Sequence, residues 1–221
     1  VGEYWSGDVR ELESYLARVS DVMLFDVPLH YHLHDASISD GNVDLSRLWE
    51  NTLTASHPDQ SVTFVENHDT QPGQSLASTV ATWFKAAAYA LILFHEAGVP
   101  CVFWGDLLGS PDSDDLPAMR ELPILMGIRA RAAVGRQHSA FDDPDVVGFA
   151  REGKEEIPGS GCAVILSDRM TAEKTLYVGT RHAGEEWECV IGGHPSVRVA
   201  DDGTLTGTVS DGGLSVYAPR A

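Results

Sequence analysis

The segment Val62-Thr63-Phe64-Val65-Glu66-Asn67-His68-Asp69 joins an apolar, β-branched run to four consecutive polar residues. Its first half predicts a short buried strand, and the apolar segment from Thr79 to Ala97 predicts a long helix after it. A strand followed by a helix is the unit from which parallel sheets are built. The segment therefore predicts an α/β fold in which Glu66 to Asp69 follow the end of a strand.

The same strand–helix order recurs on both sides of this segment. The other predicted strands end at Glu3, Phe25 and Trp104, and the helices after them are predicted near 9–19, 45–53 and 119–134. Ser6 is the predicted N-cap of the first helix, and residues 26–42 are predicted to form an elaborated loop. Four such units make either a small open doubly wound sheet or half of an eight-stranded barrel.

The pattern of residues changes after Gly135. Short β-rich stretches alternate there with turn residues such as Gly192-Gly193 and Asp211-Gly212-Gly213, which is typical of antiparallel strands. The sequence therefore predicts two domains, an α/β part at 1–136 and a small antiparallel β domain at 137–221.

Charge and hydropathy argue against two classes of partner. The net charge of −18 over 221 residues argues against nucleic acids and anionic membranes as ligands. The longest wholly apolar run, Ala86 to Phe94, is nine residues long, whereas a membrane-spanning helix needs roughly 20. Because the chain starts at Val1 without Met or a hydrophobic signal segment, we expect it to begin within a longer protein.

The cysteines bear on the compartment. Cys101, Cys162 and Cys189 are widely spaced, odd in number and flanked by apolar residues. We expect buried thiols in a reducing compartment, and the alternative is a Cys162–Cys189 disulfide.

Acidic residues follow each predicted strand of the first part, namely Glu3, Asp26, Glu66, Asp69 and Asp106. Parallel strands direct such residues toward one rim of the sheet, so carboxylates distant in sequence can converge on one substrate. Convergent carboxylates suit glycosidic cleavage, in which one carboxylic acid protonates the leaving oxygen and others stabilise or trap an oxocarbenium-like centre. The alternative is that these acids only cap the following helices or pair with basic residues.

Two other patterns compete with this interpretation. The imidazoles of His30, His32 and His34 would share one side of an extended segment, as zinc ligands do, although a polar rim loop explains them equally. The run Asp112-Ser113-Asp114-Asp115 starts like a calcium-binding loop, but Pro117 and Pro123 stand where Gly and a bidentate Glu are required.

Several segments resemble the alpha-amylase family of glycoside hydrolases, and together they extend over nearly the whole chain. They are VGEYWS at 1–6, LFDVPLHY at 24–31, FVENHDTQPGQSL at 64–76, WFK at 83–85, PCVFWGD at 100–106 and DVVGFAREG at 145–153. The pattern is most similar to bacterial liquefying amylases and their intracellular relatives. The resemblance implies an α/β fold that is the C-terminal half, strands five to eight, of a (β/α)8 TIM barrel, followed by a small antiparallel β domain.

The resemblance also implies roles for individual residues. Glu3 matches the family's general acid/base, and Asp69 matches the carboxylate that stabilises the transition state. His68 and Asn67 match substrate-binding positions, and Trp5 would line the leaving-group side. The implied function is retaining endo-hydrolysis of α-1,4-glucosidic bonds in starch- or glycogen-type glucans.

Two departures from the family pattern limit these expectations. The family's aspartate nucleophile belongs to a Gly-x-Arg-x-Asp-type segment that this sequence does not contain, so we expect the chain to be inactive alone. His138 and Asp168 match ligands of a calcium site found in some relatives, but Ser139 replaces one carboxylate. The family's main calcium site lies outside this chain.

Other readings of the resemblance stay open. The chain could belong to a family member with transferase activity or another linkage preference, or to a glycan-binding remnant without turnover. A cytoplasmic location is the expectation, with secretion as the alternative.

Overall fold

The computed structural model describes residues 1–19, 21–109 and 117–220. Its helices are α1 (Val9–Leu16), α2 (Val27–Ile38), α3 (Leu53–Ser56), α4 (Thr82–Phe94), α5 (Trp104–Leu108) and α6 (Leu122–Arg131), with short 3-10 turns at Leu45–Arg47, Pro58–Gln60 and Thr180–His182. Its strands are β1 (Leu24–Phe25), β2 (Ser61–Phe64), β3 (Val99–Cys101), β4 (Gln137–Ala140), β5 (Val146–Arg151), β6 (Cys162–Ser167), β7 (Ala172–Tyr177), β8 (Glu186–Ile191), β9 (Val197–Arg198), β10 (Thr204–Val209) and β11 (Leu214–Pro219). Over those described ranges, no helix combines the length and the hydropathy that a membrane span requires.

The first part of the chain forms a parallel sheet. Its strand order is β1-β2-β3, and Gly2 extends the sheet through a parallel bridge to Leu24. Leu24 in turn pairs with Ser61, and Phe64 pairs with Cys101, so all these segments run in the same direction. The carboxyl ends of the strands therefore share one edge, and the loops after them can meet there.

The predicted loop at 26–42 is wrong, because most of this segment is helix α2. The carboxylate of Asp26 accepts a hydrogen bond from the backbone N–H of Leu29, and Pro28 occupies the first turn, where a missing N–H costs nothing. These two residues are ordinary signals of a helix start. The alternation of His and apolar residues after them obscured that signal.

Two other local predictions need correction. Asp8 caps α1 by accepting a hydrogen bond from the N–H of Arg10, whereas Ser6 accepts one from the N–H of Asp8. The helix predicted at 45–53 is split into a 3-10 turn and α3, because Asn51 between them has a positive φ of 56°, which no α-helix accommodates.

The second part of the chain is antiparallel. Strands β4-β5-β6-β11-β8-β9 form one six-stranded sheet, and β7 pairs with β10 in a separate ribbon. The change from parallel to antiparallel pairing falls at Gln137, next to the predicted boundary at Arg136. Division of the chain into two domains at that point remains a prediction.

Helix α4 lies between the two sheets and carries much of the core. Ten of its residues are buried, and one apolar cluster connects all of them except Lys85 to Val65, which follows β2, and to Val164 and Val216 of the antiparallel sheet. A second cluster fills the space between the antiparallel sheet and the β7–β10 ribbon around Trp187. Helix α4 therefore packs between the parallel sheet and the antiparallel sheet and connects their cores. The three cysteines are free thiols, so the Cys162–Cys189 disulfide is not formed.

Candidate active site

The two predicted catalytic carboxylates lie at the same edge of the parallel sheet. Glu3 follows Gly2, which bridges to Leu24 of β1, and Asp69 lies in the loop that follows β2. One strand, β1, separates the two segments, and neighbouring strands are about 4.8 Å apart, so the backbones emerge roughly 10 Å from each other. The side chain of Glu3 is exposed and that of Asp69 is half-buried. The sheet thus presents both groups to solvent at one rim.

Trp5 links the first segment to β2 across the end of β1. Its indole N–H donates to the hydroxyl of Tyr31 at 2.9 Å, and its ring packs against Phe64 and His30 at centroid distances of 5.8 and 6.0 Å. These contacts fix the chain immediately after Glu3. Trp5 therefore has a packing role here, and its predicted place on the leaving-group side remains a prediction.

The loop after β2 presents His68 to solvent and is shaped by Asn67, whose role in substrate binding remains a prediction. The side-chain oxygen of Asn67 accepts hydrogen bonds from the backbone N–H groups of Asp69 (2.9 Å) and Thr70 (3.0 Å). An oxygen used in this way shapes the loop, as in an Asx turn. His68 projects outward with 66% of its side chain exposed, and its Nε2 lies 3.5 Å from Oδ2 of Asp69.

Asp26 is a structural acid, as the alternative reading of the strand-end carboxylates had it. It is fully buried, and its two oxygens accept hydrogen bonds from the N–H groups of Leu29, Leu53 and Thr54 and from the Thr54 hydroxyl, at 2.6 to 3.1 Å. Every donor lies within the protein. Asp26 joins the starts of α2 and α3 to the end of β1.

Glu66 and Asp106 meet at a buried lysine directly beneath the site. Nζ of Lys85 lies 2.6 Å from Oδ1 of Asp106 and 3.6 Å from Oε1 of Glu66, and the Tyr89 hydroxyl donates to Oδ2 of Asp106 at 2.6 Å. Burial raises the pKa of Glu66 to about 7, an effect opposed by hydrogen bonds from Thr70 and Val80 and by the charge of Lys85. Sequence reasoning identified both acids but missed Lys85 and Tyr89. Their i, i+4 spacing on an apolar helix was the available signal, because a charged residue on such a face needs a partner.

The three histidines do not form a cluster of metal ligands in the structure. On helix α2 each ring has its own partner in the protein. Nδ1 of His30, His32 and His34 lies 2.8 to 2.9 Å from the backbone carbonyls of Val65, Leu48 and Thr79, respectively. Burial lowers the pKa of His30 to about 4, so that ring is neutral near pH 7. In the part of the chain that the structure describes, no three His, Cys, Asp or Glu side chains are grouped as metal ligands. The predicted acidic loop at Asp112 to Asp115 lies outside the described residues.

The predicted calcium ligands His138 and Asp168 do not converge. His138 pairs with Ala150, which pairs with Ala163, and Asp168 lies five residues beyond Ala163. Five residues of strand span roughly 17 Å, too far for both side chains to ligate one ion.

Asp168 has an unusual environment of its own. It is buried, and neither of its carboxylate oxygens has a hydrogen-bond partner. Burial, and then the charge of Asp145, raises the pKa of Asp168. Arg169 is engaged with Asp145 at 2.7 Å and makes no contact of this kind with Asp168.

Comparison with known proteins gives a consistent set of relatives. No family model matches the chain. It is 43% identical over 225 residues to the alpha-amylase of Bacillus licheniformis, an alignment that covers 100% of this chain and 44% of that protein. It is 38% identical over 229 residues to the cytoplasmic alpha-amylase of Escherichia coli, with coverage of 98% and 46%.

A solved structure shows the same fold at lower identity. The alpha-amylase of Malbranchea cinnamomea superposes with a TM-score of 0.68 at 19% identity, over 99% of this chain and 50% of that one. The chain spans less than half the length of the curated relatives named above.

Proposed function

Because this chain belongs to the alpha-amylase family of glycoside hydrolases, we propose that it supplies the acid/base and the transition-state-stabilising carboxylate of an endo-acting amylase. The observation that carries the proposal is the position of Glu3 and Asp69 at one edge of the parallel sheet, with only β1 between their segments. The proposed substrate is an α-1,4-glucan of the starch or glycogen type.

The proposed roles follow from the chemistry of retaining glycosidases. Glu3 protonates the leaving glycosidic oxygen and then removes a proton from the water that hydrolyses the glycosyl-enzyme. Asp69 stabilises positive charge at the sugar ring, and the exposed imidazole of His68 binds sugar hydroxyls next to it. The carboxylate that attacks the anomeric carbon has no counterpart in this sequence and comes from outside these 221 residues.

The chain alone is therefore expected to bind maltohexaose weakly and to release no maltooligosaccharides from starch. Acid/base assistance without a nucleophile leaves the covalent step of the retaining mechanism without its attacking group. Chromatography of starch digests tests this expectation. Products of retained configuration from the purified chain would contradict it.

A mixture with the amino-terminal remainder of the Bacillus licheniformis relative separates the proposal from its alternatives. Hydrolysis that returns in the mixture and is lost in Glu3→Gln supports the amylase role. Predominant transfer to added maltooligosaccharide acceptors favours a transferase, and glucan binding without turnover favours a binding remnant.

We propose Asp168, without His138, as a ligand of a calcium ion. The buried carboxylate, whose two oxygens accept no hydrogen bonds, is an environment that a hard cation would stabilise. Millimolar calcium is expected to raise the melting temperature of the wild-type chain by a few degrees and that of Asp168→Asn by less. Scanning calorimetry with calcium and with a chelator measures this, and equal shifts in both proteins would contradict the assignment.

A cytoplasmic location is proposed on two observations. One of the relatives is a cytoplasmic alpha-amylase, and all three cysteines are free thiols. Fractionation of the native host with an antibody to this chain tests the proposal, which recovery of the protein from the culture medium would overturn.

A further inference from the structure

Residues 67–79 form the loop that carries His68 and Asp69, and hydrogen bonds within this loop close it. The carbonyl of Thr70 accepts hydrogen bonds from the N–H of Ser78 at 3.0 Å and from the hydroxyl of Thr79 at 3.1 Å. The carbonyl of Asp69 accepts one from the N–H of Leu76 at 3.2 Å. The position of Thr70 therefore determines where the loop closes and where Asp69 lies.

One buried carboxylate fastens both ends of this loop. Oε2 of Glu66 accepts the hydroxyl of Thr70, and Oε1 accepts the N–H of Val80, both at 2.6 Å. Glu66 is 2% exposed and Thr70 is fully buried, so water does not compete for these bonds. Thr70, near the start of the loop, and Val80, directly after its end, are thus held by the same carboxylate.

Glu66 is itself held from below. Lys85 lies 3.6 Å from Oε1, and Lys85 is fixed in turn by Asp106 and, through it, by Tyr89. Helix α4, which carries Lys85 and Tyr89, and helix α5, which carries Asp106, therefore determine where the Glu66 carboxylate lies. This chain of contacts runs from the rigid core to the loop that faces solvent.

We propose that Glu66 is a positioning residue, which acts through Thr70 to hold Asp69 and His68 where a sugar ring binds. The proposal rests on the proposed function for the meaning of that position. The competing explanation is that Glu66 and its partners only stabilise the fold. The two explanations differ in what happens to the loop when the fold stays intact.

The structure offers a matched pair of variants for this test. Thr70→Val removes a 2.6 Å hydroxyl–carboxylate hydrogen bond to Glu66, and Thr54→Val removes one of the same length to Asp26. Both threonines are buried, and only Thr70 touches the loop. We expect Thr70→Val to speed deuterium uptake across residues 67–79 about tenfold relative to Thr54→Val, at similar losses of melting temperature. Equal uptake in the two variants would overturn the proposal.

A second pair of variants tests Glu66 directly. Glu66→Gln keeps an oxygen that accepts the N–H of Val80 and an amide that reaches the Thr70 oxygen, whereas Glu66→Ala keeps neither. Glu66→Gln is therefore expected to keep most of the protection from hydrogen exchange that the loop loses in Glu66→Ala. Loop protection that is the same in both variants would speak for a purely stabilising role.

Maltohexaose is the binding probe in the same proteins. Weaker binding by Thr70→Val than by Thr54→Val supports the link between loop position and sugar binding, and equal binding contradicts it. If the wild-type chain does not bind maltohexaose, the proposed function fails, while the exchange comparison still decides whether Glu66 positions the loop.

Discussion

Replacement of Lys85 with Met is expected to destabilise the chain by about 3–5 kcal/mol near pH 8, the largest loss that we expect from a single substitution. Lys85 is the cation between Glu66 and Asp106, and the side chains of all three residues are at most 8% exposed. Without Lys85, two carboxylates are buried with no opposite charge. Urea unfolding of both proteins at about pH 8 and about pH 5 measures the effect.

The loss should be smaller near pH 5. Burial already raises the pKa of Glu66 to about 7 with Lys85 present, and removal of that cation raises it further. Protonation of the acid at low pH then removes part of the unpaired charge. Two controls define the result. Arg47→Met, which breaks an ion pair to Glu50 between two exposed side chains, should cost less than about 1 kcal/mol. The triple variant Lys85→Met, Glu66→Gln, Asp106→Asn should recover part of the loss. A pH-independent effect no larger than that of Arg47→Met would contradict the buried ion-pair interpretation.

This cluster shows which part of the site was accessible from the sequence. Glu66 and Asp106 each follow an apolar run, so their place at the carboxyl edge of a sheet could be predicted from local pattern. That Lys85 joins them could not, because its partner Asp106 is 21 residues away and the contact depends on how α4 packs on the sheet. Local periodicity reports which face of an element is buried, and says nothing of what that face meets.

Among the strands and helices, too, some could be predicted from local sequence pattern and others could not. The positions of β1, β2, α4 and α6 followed from hydrophobic runs and periodicity, which burial imposes directly on sequence. Helix α2 was missed because its alternating His and apolar residues mimic a strand, although Asp26 and Pro28 signal a helix start. The pairing of His138 with Asp168 failed for another reason. It depends on strand register, and register is set by pairing across β5, beyond the reach of a motif match.

The resemblance supplied what local pattern left open. Four strand–helix units fit either an open sheet or a half barrel, and strand-end acids fit either catalysis or capping. Asp26, Glu66 and Asp106 are engaged inside the protein, whereas Glu3 and Asp69 reach solvent. The capping alternative therefore accounts for the buried acids and leaves Glu3 and Asp69, for which the resemblance implies catalytic roles.

The last prediction concerns two buried groups whose effects on stability oppose each other as pH changes. Burial lowers the pKa of His30 from 6.5 to about 4 and raises that of Glu66 from 4.5 to about 7. Between about pH 6.5 and 4, the unfolded chain protonates His30 and the folded chain does not, so stability falls as pH falls. Between about pH 7 and 4.5, the folded chain protonates Glu66 and the unfolded chain does not, so stability rises as pH falls.

These two effects nearly cancel in the wild-type chain. Between pH 7 and pH 5 each changes the free energy of unfolding by about 2 kcal/mol, with opposite signs. On acidification from pH 7 to pH 5, the free energy of unfolding of His30→Gln should therefore rise by about 2 kcal/mol relative to that of wild type, because only the Glu66 effect remains. The free energy of unfolding of Glu66→Gln should fall by about as much over the same interval.

Urea unfolding at the two pH values measures these slopes, and comparison with wild type removes the contribution of every other carboxylate. The neighbours that bear on the two groups are His34 for His30, and Lys85 and Asp106 for Glu66, and none of them is altered. The double variant serves as the control, because it lacks both groups and should regain the wild-type slope. Slopes of the same sign in the two single variants would show that at least one of these groups titrates as it does in water. In that case the folded chain would not keep the His30 ring beside Trp5 neutral below pH 6.5, or would not raise the pKa of the Glu66 carboxylate that contacts Thr70.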